Sequence, residues 1–177
     1  MTFATAPASL AALISHEIQA AGGWLPFDRF MHLALYAPGL GYYAHGSAKF
    51  GRWPASGSDF VTAPELSPLF GRALAAQVAQ SLAVTGTDEV WEFGAGSGAL
   101  AQQLIDALEA LGQPLARYTI VDVSGALRAR QQQRLARFGA CVQWAERLPE
   151  ALRGVVVGNE VLDAMPVKLL ARCGGEW

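Results

Sequence analysis

Glu89-Val90-Trp91-Glu92-Phe93-Gly94-Ala95-Gly96-Ser97-Gly98 is the stretch whose reading decides the fold of this chain. An apolar run enters three glycines at alternate positions, and a helix-like run, Ala99–Leu111, follows. That order spells strand, tight turn, helix. Glycines at such a turn let the backbone reverse sharply and approach a ligand, because no Cβ intervenes. The helix behind the turn presents unpaired N–H groups and a partial positive charge. In open α/β sheets this is where nucleotide-like ligands rest, at the carboxyl ends of parallel strands.

Outward from the turn, strand and helix patterns alternate. Strands are expected at Glu89–Phe93, Tyr118–Asp122, Cys141–Trp144 and Val155–Gly158, and helices at Ala99–Leu111 and Gly125–Phe138, the second capped by Ser124. Such alternation gives right-handed βαβ units and a parallel sheet. The fourth strand is expected beside the first, on the side away from the second. Before the turn the pattern is helical. Ser9–Ala21 carries Leu10, Leu13, Ile14 and Ile18 on one side and meets Gly22-Gly23. Pro26 opens a short second helix that Pro38 stops, and Ser67-Pro68 opens a longer one that Gly86 closes. Gly39–Asp59 reads as a long ordered loop. The expected division is 1–86, helices and a covering loop, and 87–177, the first part of an α/β domain. Val167–Ala171 reads as a further strand, so the sheet has a short second wing and the chain is expected to be a fragment, or an unusually short member, of a longer fold.

The composition narrows the function classes. The chain has 177 residues, 52% hydrophobic and 16% charged, which suits a packed domain. A formal charge of −2 creates no field that gathers nucleic acid. Arg72 and Gln77 interrupt the most apolar run, Leu66–Val84, so no membrane span is expected. Cys141 and Cys173 form no CxxC pair and no metal spacing with His16, His32 or His45, so no metal site is expected. Two isolated thiols and an N-terminus without a basic region point to a reducing compartment, and the cytoplasm is the expected location.

The glycine spacing also fits the dinucleotide pattern, so it leaves NAD and other nucleotides open. Glu92 ends the first strand with a carboxylate, which suits a cationic or amine-bearing ligand such as S-adenosylmethionine (SAM). The bland alternative is a loop cap. Asp122 ends the second strand, where a carboxylate can take both ribose hydroxyls. Asn159, Glu160 and Asp163 follow the fourth strand. If that turn is helical, Glu160 and Asp163 share a face, where two carboxylates can hold a guanidinium. Capping by Asn159 with acids on the helix dipole explains them equally well. Ser97 lies in a loose relative of the nucleophile elbow, but the elbow's two glycines are alanines here and all three histidines precede the serine. Trp144 ends the third strand near where an adenine would lie.

Several segments together resemble the MidA-like SAM-dependent methyltransferases. They are Gly39-Leu40-Gly41-Tyr42-Tyr43, Ser58-Asp59-Phe60-Val61-Thr62-Ala63-Pro64-Glu65-Leu66-Ser67, Phe70-Gly71, the glycine turn, Val121-Asp122-Val123-Ser124 with Leu127, Arg128 and Gln131, and Gly158-Asn159-Glu160-Val161-Leu162-Asp163-Ala164-Met165-Pro166-Val167. They run in order through most of the chain. Ser58 stands where the family usually has glycine, and family members are longer.

The resemblance implies a class I methyltransferase fold, a Rossmann-like parallel sheet with an N-terminal helical extension, and SAM as cofactor. It implies that Glu92, Gly94, Ala95, Gly96, Gly98, Asp122 and Val123 line the cofactor, with Asn159 nearby and with Thr62 and Glu65 in a covering segment. Glu160 and Asp163 would face the substrate as the catalytic pair. Through mitochondrial members it also implies a protein substrate methylated on arginine, with a link to a respiratory-complex subunit. The expected function is therefore a SAM-dependent protein methyltransferase. The alternatives are an NAD(P)-dependent oxidoreductase and a non-catalytic SAM-binding or assembly protein.

Overall fold

The computed structural model describes residues 9–44, 61–122 and 124–176. Val123, His45, Trp53, the segment Ser58-Asp59-Phe60 and most of the expected long loop lie outside the described residues. Contacts divide the chain into two units, residues 1–46 with 162–177, and residues 47–161. This division differs from the expected one at residue 86, because the helix before that point packs into the core of the sheet.

The first unit opens with α1 (Leu10–Ala20) and α2 (Phe27–Tyr36). Ser9 caps α1, its hydroxyl accepting from Ala12 N at 3.2 Å. α2 ends two residues before Pro38, and the chain then folds back through turns in which Tyr42 N donates to Ala34 O. The Tyr36 ring stacks on Tyr43 at 5.6 Å between centroids, and its hydroxyl donates to Ala164 O at 2.7 Å. The expected strand Val167–Ala171 does not form: residues 166–172 have no regular structure. Val167, Leu169 and Leu170 are exposed, and no described strand lies alongside to take up the segment's backbone hydrogen bonds.

The second unit holds the sheet. Its elements are α3 (Ala63–Leu66), α4 (Pro68–Thr85), β1 (Glu89–Phe93), α5 (Ala99–Ala110), β2 (Arg117–Val121), α6 (Gly125–Leu135), β3 (Val142–Ala145) and β4 (Val155–Gly158). Ser67 caps α4 by accepting from Leu69 N, and Gly86 closes it in the left-handed conformation, as its sequence signals require. α6 stops three residues short of the expected Phe138 and tightens into a 3-10 turn, Ala136–Cys141, in which Gly139 leaves helical geometry.

All four strands are parallel, in the order β3-β2-β1-β4. β1 therefore has β2 on one side and β4 on the other, as expected. Chain direction away from β1 reverses there, which opens a crevice beyond the carboxyl ends of β1 and β4. The register pairs Val90 with Tyr118 and Glu92 with Ile120. Alternation puts Val90, Glu92, Tyr118 and Ile120 on one face. Ala75, Val78 and Leu82 of α4, Leu100, Leu104 and Leu108 of α5, and Leu135 of α6 join that face in one core. Leu82, Leu104, Leu108, Tyr118 and Ile120 are completely buried. Burying each such side chain contributes about 1.5–3 kcal/mol. α4 has helical length and apolarity, yet among the described residues no helix is long and apolar enough to cross a membrane.

Candidate functional site

The glycine turn leaves β1 with Gly94, Gly96 and Gly98 at φ +61°, +54° and +80°. All three lie in the left-handed region that favours glycine. Gly94 N donates to Val121 O at 3.1 Å, which ties the turn to the end of β2. A Cβ on Gly94 would stand 3.2 Å from Val161 Cγ2, and one on Gly158 3.3 Å from the same atom. Val161 thus brings the loops after β1 and β4 against each other at the crevice. Gly98 is the N-cap of α5 and supplies no side-chain cap, so the first-turn amides of α5 take no side-chain bond from it. Ala95 is different: its side chain is buried in the core, and only its backbone belongs to the turn.

Glu92 is 2% exposed. It accepts a 2.7 Å hydrogen bond from the Tyr118 hydroxyl. Burial raises its carboxyl from 4.5 to about 7; the bond from Tyr118 pulls it back and the charge of Asp122 pushes it up further. Its partner is thus a side chain on the neighbouring strand, where the sequence alone allowed a loop amide. Tyr118 was not singled out in the sequence. Its signal was position: it shares the Glu92 face of the sheet, one strand across.

Asp122 follows β2 directly. Its Oδ1 accepts from Ser124 N at 2.9 Å, and its Oδ2 accepts from Gln131 Nε2 at 2.9 Å. Each carboxylate oxygen keeps a further lone pair. Gln131 is completely buried. It also donates to Gly96 O at 2.9 Å and accepts from Trp144 Nε1 at 2.9 Å. Trp144 is thereby held by an amide at the end of β3.

Thr62 and Glu65, expected over the cofactor, belong to the same unit as the turn. Thr62 precedes α3, and its carbonyl accepts from Glu65 N. The Ser97 hydroxyl donates to Glu65 Oε1 and accepts from Arg134 Nη1 at 2.7 Å. Arg134 also approaches Glu65 directly, at 3.6 Å. Ser97 therefore joins α3, the glycine turn and α6. That engagement, with no histidine near it in sequence order, is unlike a nucleophile's. α3 is further held by Gln103 of α5, which donates to Pro64 O at 2.7 Å and accepts from Gly71 N.

The segment after β4 departs from expectation. Helical structure there is limited to a 3-10 turn, Leu162–Ala164. Glu160 precedes it with φ +54°, the one non-glycine with positive φ among the described residues. Glu160 and Asp163 therefore share no helix face. Glu160 is exposed and Asn159 partly buried in the unit with the turn. Asp163 belongs to the other unit, where its charge adds to burial in raising the Tyr36 hydroxyl. The structure thus brings Glu92, Gly94, Gly96, Gly98 and Asp122 together at the ends of β1 and β2.

Against this geometry, the family described as "Putative S-adenosyl-L-methionine-dependent methyltransferase" matches residues 73–177. The chain belongs to that family. The chain is 55% identical to a COG1565 superfamily member from Burkholderia thailandensis, solved bound to S-adenosyl-homocysteine, with TM-score 0.82 over 94% of this chain and 46% of that one. A native structure of a COG1565 superfamily protein from the same organism matches at 50% identity and TM-score 0.77, over 98% of this chain and 46% of that one. Among curated proteins, "Protein arginine methyltransferase NDUFAF7 homolog, mitochondrial" of Caenorhabditis elegans is 29% identical over 88% of this chain and 42% of its own length. The Drosophila melanogaster protein of the same name is 28% identical over 96% of this chain and 43% of its own length. The chain spans less than half the length of these relatives.

Proposed function

We propose, from membership of this methyltransferase family, that the chain supplies the SAM-binding part of a protein methyltransferase. The observation that carries the reading is the convergence of the glycine turn and Asp122 at the ends of two paired strands, in a fold shared with a protein solved with S-adenosyl-homocysteine. Asp122 takes the ribose hydroxyls with its remaining lone pairs. Gly94, Gly96 and Gly98 let the backbone lie against the amino-acid end of the cofactor, with the backbone of Ala95 continuing the wall. Glu92 favours the cofactor's positive charge from beneath the turn. Val123, next after Asp122 in sequence, is a proposed cofactor residue from the family resemblance alone. Thr62 and Glu65 hold the covering segment, which Ser97 fastens to the turn.

Glu160 follows β4, across the crevice from Asp122, and serves the methyl acceptor, with Asn159 beside it on the cofactor's side. SAM supplies an electrophilic methyl group; the chain's residues orient it and the nucleophile in line. Glu160 holds the acceptor's guanidinium in the fork geometry that a carboxylate offers. Arginine of a protein is the proposed acceptor because the named relatives are protein arginine methyltransferases. A respiratory-complex subunit is the proposed partner, a finer reading that rests on the family resemblance alone. The cytoplasm is the proposed location, from two free cysteines, although those relatives are named mitochondrial.

Transfer of labelled methyl from SAM to an arginine-containing protein acceptor tests the reading. It is expected in the longer protein that carries this chain and is expected to fall with Glu160→Gln. Labelled methyl found on no protein, from any cell extract offered, would count against it.

A further inference from the structure

We infer that Gln131 is the positioning residue of the cofactor site, setting the ribose-binding carboxylate and the glycine turn in one rigid arrangement. The inference rests on the proposed role of Asp122. Gln131 lies on α6 four residues after Leu127 and four before Leu135, on the helix's buried stripe. A long amide at such a place is costly unless its polar atoms are paired. Here three complementary partners meet those atoms. Its NH2 donates to two acceptors, Gly96 O and Asp122 Oδ2, each at 2.9 Å. Its carbonyl accepts from the indole N–H of Trp144 at 2.9 Å. Rotating the amide by half a turn would set its oxygen against two acceptors and its NH2 against a donor. The chemistry of the neighbours therefore fixes the orientation.

The consequence is mechanical. Asp122 has its Oδ1 fixed by Ser124 N and its Oδ2 fixed by Gln131. The carboxylate plane cannot turn without breaking one of these bonds. The Gly96 carbonyl is drawn toward α6 by Gln131, so the Ser97 N–H, in the same trans peptide plane, faces the other way. Gly98 packs against the same residue: a Cβ placed there would lie 3.5 Å from Gln131 Cγ. One buried side chain thus sets the ribose acid, the turn and the tryptophan at the adenosine end of the site. Gln131 need not touch the cofactor; it acts through Asp122 and Gly96.

The test is a double-mutant cycle on SAM affinity, measured by calorimetry in the longer protein that carries this chain. The variants are Gln131→Met, Gln131→Glu, Asp122→Ala and the pairs. Gln131→Met keeps length and apolar packing. Gln131→Glu keeps shape and the acceptor for Trp144 but lacks both donors. Each is expected to weaken SAM binding about tenfold, as loss of a hydrogen bond to a charged group does. Each is expected to weaken it little further once Asp122 is alanine, because the two act as one unit. A role in folding alone would lower the melting temperature and leave the affinity of the folded fraction unchanged. Affinity unchanged in a folded Gln131→Glu protein, or effects that add fully to Asp122→Ala, overturns the inference and leaves the reading of Asp122 standing. An Asp122→Ala protein that binds SAM normally overturns both.

Discussion

The Tyr118 hydroxyl donates to Glu92 Oε2 at 2.7 Å, joining adjacent parallel strands inside the core. Glu92 is the penultimate residue of β1, just before the glycine turn, so this bond couples the sheet interior to the site. Burial raises the Glu92 carboxyl from 4.5 to about 7. A carboxyl raised in this way contributes stability that is complete below its unfolded value and is lost as pH climbs through its folded one. The melting temperature of the cofactor-free protein is therefore expected to fall, from this group, between about pH 4.5 and pH 7. Glu92→Gln should flatten that slope. An unchanged slope would show that Glu92 titrates normally.

The same carboxyl predicts a proton linkage. A cationic cofactor near Glu92 favours its ionised form, so below about pH 7 binding should release a proton and tighten as pH rises. Calorimetry in two buffers of different ionisation enthalpy reads the proton directly. Glu92→Gln should abolish the difference between buffers; equal heats in the unaltered protein would count against the assignment.

Asp122→Ala should weaken SAM binding by about 1.5–3 kcal/mol, the range for hydrogen bonds to a charged group. The loss should be confined to ligands with a ribose diol. A cofactor analogue lacking the ribose hydroxyls should bind the variant and the unaltered protein alike, and a full difference for that analogue would contradict the role.

Gly96→Val adds a β-branched side chain at φ +54°, a conformation such residues rarely adopt. SAM binding should vanish while far-ultraviolet circular dichroism stays close to that of the unaltered protein, since the change is confined to the turn. Normal binding by the variant would place the cofactor elsewhere.

Glu160 adopts φ +54°, a left-handed conformation that costs a non-glycine residue about 1–2 kcal/mol. Strain of this kind gathers at functional sites. Glu160→Gly should raise stability by about 1 kcal/mol or less, because glycine's own entropy offsets part of the relief, while turnover falls. A variant both more stable and fully active would remove Glu160 from the substrate side.

Most of the α/β unit was legible because its signals are local. β1 and β4 have the expected bounds, and β2 and β3 are shifted by a residue. Ser67, Gly86 and Ser124 mark helix ends through capping chemistry that the sequence displays. The order of β4 beside β1 followed from topology. What the sequence hid was tertiary. Val167–Ala171 has strand-like residues, but a strand exists only with a neighbour to share its hydrogen bonds. Glu160 and Asp163 looked like a helical pair, yet the helix they needed is reduced to a 3-10 turn after Glu160. Gln131 and Tyr118 carry ordinary side chains at buried positions, and their significance appears only when three elements meet. Gln131 did leave a trace, as a polar residue on the apolar stripe between Leu127 and Leu135.

We propose that the glycine turn and Asp122 form a SAM site rather than a dinucleotide site. Calorimetric titration of one preparation with S-adenosyl-homocysteine and, separately, with NAD tests it most directly. One S-adenosyl-homocysteine per chain is expected to bind saturably, with no heat of binding from NAD. Saturable binding of NAD, with none of S-adenosyl-homocysteine, would contradict it.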